Sequence, residues 1–281
     1  MNIQELIDRA NIIGIEIEKI PVTTQGEIVC IHYNDENDIY YIPDSIKNLT
    51  LSNSRLTPIF SSMHYVKNIK FIGGNGLETF NNAFMGCYCD FLDLTELNTS
   101  HVLQMIDTFS KCSIDTVKFG GLFSTENVVD MRGMFRDSKI LNLDISSFNT
   151  SNVLWMEEMF SRAQIDRLNL GEIDTSNVKS MSCMFISAVI AEGIDFTKQD
   201  THSVVTFERM FNIASSNKIN VEVDMSSAKT AQRMFMLCSS DDLRIKVNNG
   251  NPDINTTNFL REARVKFKYI DYGKLVMPTI K

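Results

Sequence analysis

Apolar residues in this chain follow two rhythms that return together about every 25 residues. In the first, Ile140, Leu143 and Ile145 in one stretch, and Ile165, Leu168 and Leu170 in the next, mark a short strand; the tight alternation of Leu143/Ile145 and of Val221/Val223 is its clearest form. In the second, Val153, Met156, Met159 and Phe160 stand at i, i+3, i+6 and i+7, which predicts one face of a short helix. Asn149-Thr150-Ser151 lies just ahead of that set, as do Asp174-Thr175-Ser176 and Asn98-Thr99-Ser100 ahead of theirs. Their hydroxyls are expected to cap the helix by accepting a bond from an exposed backbone N–H. A Phe closes each unit, at 84, 109, 135, 160, 185, 211, 235 and 259, with intervals of 25, 26, 25, 25, 26, 24 and 24.

A strand with a turn or two of helix cannot bury its apolar face alone, so such units must stack on one another. The expected fold class is an α/β solenoid. It is a curved stack of about eight units, with a parallel sheet on one face and short helices on the other. The solenoid is expected over residues 66–264. Residues 1–65 read as an N-terminal cap: Ile3, Leu6, Ile7 and Ala10 predict a short amphipathic helix, and Glu27–Tyr33 with Asp38–Ile42 predict a β-hairpin. Ile46–Leu51 and Val66–Phe71 read as further strands of the stack, and residues 265–281 as a C-terminal cap with a last strand through Val265, Phe267 and Tyr269.

The phrases Phe148-Asn149-Thr150-Ser151-Asn152-Val153 and Asp174-Thr175-Ser176-Asn177-Val178, each followed by Met and then Met-Phe, resemble the BspA-like leucine-rich-repeat family over roughly residues 66–260. The resemblance implies a leucine-rich-repeat-like fold and a protein-binding role, commonly at a bacterial surface. Residues 1–20 lack a basic-then-apolar leader, so a cytoplasmic location is expected, with a surface location if a leader preceded them.

Composition removes several function classes. A formal charge of −8 argues against a general phosphate-backbone binder, so nucleic acid is not an expected partner. No apolar run is long enough to span a membrane. Cys87-Tyr88-Cys89 invites a metal or redox reading, but Cys87, Cys112 and Cys238 each lie three residues after a repeat Phe. Ser138, Ala163, Ala188 and Ala214 fill the same slot, which therefore reads as a small core position. Met105, Met131, Met156 and Met181 hold one register and also read as core. His101 and His202 read as solvated cap residues at the helix starts, and the pairs Glu157-Glu158 and Asp241-Asp242 as solvated faces. Gly73-Gly74-Asn75-Gly76 reads as a turn, since it lacks the Lys-Ser/Thr of a phosphate loop. No catalytic residue, metal ligand or cofactor site is expected.

What is left is the solvent side of the sheet. Read along the stack, it holds Asp93, Lys118, Asp144, Asn169, Asp195 and Glu222, then Arg244, Lys246, Lys266 and Lys268, acidic in the middle and basic at the end. A graded face of this kind suits recognition of a protein surface. The expected function is a non-enzymatic solenoid that binds a protein partner. One version is an intracellular inhibitor, such as a phage or mobile-element protein that blocks a host defence protein; another is a surface adhesin-type protein. An enzymatic role would have to sit in residues 1–65.

Overall fold

The computed structural model describes residues 17–21, 28–33, 39–42 and 66–272. Its thirteen strands form one sheet. They are β1 (Ile17–Pro21), β2 (Ile28–Tyr33), β3 (Ile39–Ile42), β4 (Val66–Gly73), β5 (Tyr88–Leu97), β6 (Ser113–Lys118), β7 (Lys139–Asp144), β8 (Gln164–Asn169), β9 (Val189–Ile190), β10 (Ile194–Phe196), β11 (Ser215–Met225), β12 (Ser239–Gly250) and β13 (Arg264–Asp271). β1, β2 and β3 pair antiparallel, so the expected hairpin is present. From β3 onward every neighbour is parallel. The helix expected near Ile3–Ala10 and the strand expected at Ile46–Leu51 lie outside the described residues.

A second parallel ladder runs up the opposite side through Thr79, Gln104, Asp130, Trp155, Ser180, Thr206, Thr230 and Asn255, one residue from each of eight rungs. The chain is therefore a parallel β-solenoid. Its core is continuous: of the expected inward strand residues Ile140, Leu143, Ile145, Ile165, Leu170, Val221 and Val223 are buried and Leu168 is partly buried, while the four Met of the shared register and the small slot from Cys87 to Cys238 are all buried. Seven repeat Phe rings, from Phe84 to Phe235, stack in one column with centroids 5.0–5.6 Å apart.

Among the described residues no segment is helical, which corrects the sequence expectation. The segment from Met156 to Ala163 is instead two β-turns in tandem, closed by Met159 N–H to Met156 C=O at 3.3 Å and Ala163 N–H to Phe160 C=O at 3.1 Å. The third residue of each turn takes a left-handed backbone, Glu158 at φ 57° and Arg162 at φ 56°. Tandem turns return side chains inward at Met156, Met159, Phe160 and Ala163. That spacing matches a helix face, so the apolar pattern alone does not separate the two. The hydrogen bonds do: alternate N–H groups of the turns donate to the next rung, as Gly133 does to Glu157 C=O and Phe135 to Met159 C=O.

The Asn/Asp-Thr-Ser-Asn-Val phrase has a different job from the capping expected of it. Its first residue accepts from the backbone two residues on, as Asn149 Oδ1 does from Ser151 N–H and Asp174 Oδ1 from Ser176 N–H. The buried Thr spans rungs: Thr150 Oγ1 donates to Asp174 C=O at 2.7 Å, and Thr99, Thr125, Thr175 and Thr201 repeat the bond in their own rungs. The Asn after Ser reaches the other way, as Asn152 Nδ2 does to Glu126 C=O and Asn177 Nδ2 to Ser151 C=O. Val153 and Val178 then enter the core. The motif is a corner that ties three successive rungs together.

Candidate functional site: the outer sheet face and a notch in the turn face

The strip expected on the outer sheet is mostly outward but does not form one line. Register carries Asp93 onto Lys118 and Asp144 onto Asn169. Asp195, however, faces Asn220, then Arg244 and Tyr269. Glu222 lies two residues further along and aligns with Lys246 and Asp271. Lys266 is outward beside Asp241, its Nζ 2.9 Å from Oδ1. Lys268 is in register with buried Leu243, so it continues an inward column at the last described rung rather than the outer face.

The charge gradient is also weaker than the sequence suggests, because neighbours neutralise one another. Lys246 Nζ sits 2.8 Å from Glu222 Oε1, and Arg244 Nε binds Asp242. Asp144 Oδ1 accepts from the Ser146 N–H and from Asn169 Nδ2. Burial opposes its charge, yet these bonds hold its carboxyl below the usual range. Hydrogen bonds from Lys246 and Asn248 lower Glu222 in the same way.

A groove that sequence reading missed lies beside this strip. Two outward columns flank the inward one that holds Ile114 and Ile140: Tyr88, Ser113, Lys139, Gln164 and Val189 on one side, and Asp90, Asp115, Leu141 and Asp166 on the other. Between them is a recess of about 250 Å³. It is acidic overall, three carboxylates against one lysine, and Leu141 is 45% exposed on one flank. Reading two adjacent outward residues after each first inward position, instead of strict alternation, would have found it.

The turn face carries a second recess, about 300 Å³, lined by Ile106, Asp107, Arg132, Gly133, Arg136, Glu157 and Glu158. Glu157 and Glu158, expected to be merely solvated, form one wall. Arg136 spans the recess, with one nitrogen 2.6 Å from Asp107 Oδ2 and another 3.0 Å from Glu158 Oε2. Arg132 is held from below by Asp130, with three contacts between 2.6 and 3.0 Å. Asp107 Oδ1 and Glu157 Oε2 are buried with no hydrogen-bond partner. Burial pushes the Asp107 carboxyl up, and the Arg136 charge only partly offsets it.

The cysteines behave as the register predicted. Cys87, Cys89, Cys112 and Cys238 are buried free thiols, and burial raises Cys112 and raises Cys238 to about 12. Among the described residues no group of His, Cys, Asp or Glu is placed to hold a metal ion. Among the described residues there is no helix long and apolar enough to cross a membrane.

A family model described as "Mycoplasma protein of unknown function, DUF285" matches residues 78–194 and again 165–268. The chain belongs to this family. The two matches overlap at residues 165–194 and together run from 78 to 268, the stretch of this chain that holds the Phe column, the Thr ladder and the corner motif. No curated protein and no solved structure matched the chain.

Proposed function

We propose that the chain is a non-catalytic interaction solenoid that holds a protein partner against the outer face of its sheet. The observation that carries the reading is the groove between the Tyr88 and Asp115 columns. It sets exposed Tyr88, Leu141 and Val189 among Asp90, Asp115 and Asp166 on a hydrogen-bonded sheet. Apolar anchors within a charged surround, on a backbone that does not need ordering, lower the cost of association. The excess of carboxylates there favours a basic segment of the partner. The corner motif shared with BspA-like repeats, in which protein binding is common, supports the same class.

The test is site-specific photo-crosslinking in producing cells. A crosslinking residue at Leu141 is expected to give one dominant protein adduct. The same residue at Ser147, an exposed corner position, is expected to give none. Asp115→Arg with Asp166→Arg should abolish the Leu141 adduct without unfolding the chain. Equal labelling at both positions, or no adduct at Leu141, refutes the reading.

A further inference from the structure

The slot two residues before the column Phe has a left-handed backbone in seven rungs, and Asn258, two residues before Leu260, holds the same slot in the eighth. Seven of the eight hold a side chain there: Asn82, Asp107, Glu158, Cys183, Arg209, Arg233 and Asn258, with φ between 52° and 58°. Gly133 alone has none, at φ 62°. Conformation does not require this glycine, because its neighbours above and below adopt the same φ without one. Space does: a Cβ on residue 133 would lie 2.2 Å from Asp107 Oδ1. The missing side chain opens the recess in an otherwise filled column, and the rungs on either side present Asp107 and Glu158 to it.

The recess has the wrong charge to be complete. Asp107, Glu157 and Glu158 face Arg132 and Arg136, three carboxylates against two guanidiniums, or −1 when all are ionised. Both guanidiniums already serve carboxylates of the chain, while Glu157 Oε2 is buried without a donor. On the same rungs Leu103, Val129 and Leu154 follow one another in backbone register, forming an apolar stripe, with Leu103 52% exposed. Ile106 lines the recess, and the Gln104–Asp130–Trp155 ladder runs between it and this stripe.

We propose that the Gly133 recess receives one arginine side chain of a protein partner, with Glu157 and Glu158 accepting from its guanidinium and the Leu103–Val129–Leu154 stripe receiving the apolar residues beside it. Arginine fits better than lysine, since its planar fork can donate to two carboxylates and is less strongly hydrated. This inference rests on the interaction reading but uses a face opposite the sheet groove, so the two can fail separately.

The experiment titrates the full-length, isotopically labelled chain with N-acetyl-arginine amide, followed by backbone amide shifts. The citrulline analogue, which keeps the shape and loses the charge, is the control. Saturable shifts at Gly133, Glu157 and Glu158 are expected with the arginine probe. Citrulline, and the variant Glu157→Gln, should each bind about tenfold more weakly or worse. Glu157→Gln leaves Gly133 and the Asp107–Arg136–Glu158 bridge in place, so its fold is checked by an unchanged spectrum elsewhere. No saturable shift at these three residues overturns the proposal, as do equal binding of citrulline and full binding by Glu157→Gln. Loss of the Leu141 crosslink with an intact arginine titration would discard the sheet-face reading alone.

Discussion

Gly133→Ala tests whether this glycine serves space or backbone. The new methyl would sit 2.2 Å from Asp107 Oδ1 and 3.2 Å from its Cγ, so the carboxylate must move. Moving it breaks the 2.6 Å contact with Arg136, in which both side chains are less than a third exposed. A charged hydrogen bond of that kind contributes about 1.5–3 kcal/mol. A Cβ at left-handed φ adds about 1–2 kcal/mol. The stiffer unfolded chain returns about 0.5–1 kcal/mol. The expected net cost is about 2–4 kcal/mol, read as a fall in the urea midpoint at constant slope. In an Asp107→Ala background the obstacle and the ion pair are already gone, so the same substitution should cost only about 1 kcal/mol. The coupling in this double-mutant cycle is then about 1–3 kcal/mol. Equal costs in the two backgrounds, within about 0.5 kcal/mol, would show that Gly133 is there for its φ and that the recess is incidental.

Three further outcomes follow from the ladders and thiols. Thr150→Val should destabilise the chain by about 1–2 kcal/mol, since it removes the donor to Asp174 C=O from a buried site, whereas Thr150→Ser should cost less; thermal unfolding of the pair decides it. Asp137 is held below the usual carboxylate range by its hydrogen bond from Arg162, so its contribution is present above the unfolded-state value and is lost as pH falls through the lower folded one. Asp107 has the opposite sign: its raised folded value makes its contribution full at low pH and diminished as pH rises through that value. Asp137→Asn should therefore flatten the acid limb of a stability–pH curve, and a steeper limb would contradict the assignment. Among the cysteines placed by the structure, a neutral maleimide at pH 8 should reach half-exposed Cys183 first and spare Cys87, Cys112 and Cys238 in the folded chain; early labelling of Cys112 would mean that the core is not closed as described.

The stacking was legible in the sequence because its signal repeats. Phe160 means little alone, but the same ring at every rung fixes the register, and the register then places Met156 and Ala163 in the core. The turns were not legible because two β-turns return side chains inward with the spacing of a helix. Glu158 and Arg162, which occupy the left-handed positions, are not residues that advertise such a backbone. Hydrogen bonds between rungs relieve that cost in a way no local pattern reveals. The Asn149-Thr150-Ser151 phrase was read as a local cap because caps use the same residues; its Thr in fact bonds to a residue 24 positions away. The recess could have been found by aligning the eight rungs and seeing one slot emptied between two acids.

Between rungs, the same contacts recur from one step to the next: Phe over Phe, a Thr hydroxyl to the corner ahead, an Asn amide to the corner behind. Such an interface is nearly self-complementary, so a rung can be duplicated or lost in a block of about 25 codons without any new surface having to be invented. Length then becomes a heritable variable that replication slippage can adjust, while the inward residues stay constrained. What distinguishes one rung from another is written on the outside, in differences as small as the single missing side chain at Gly133. A lineage of such chains would diversify in the way a printed line does, by resetting individual characters on type of fixed height.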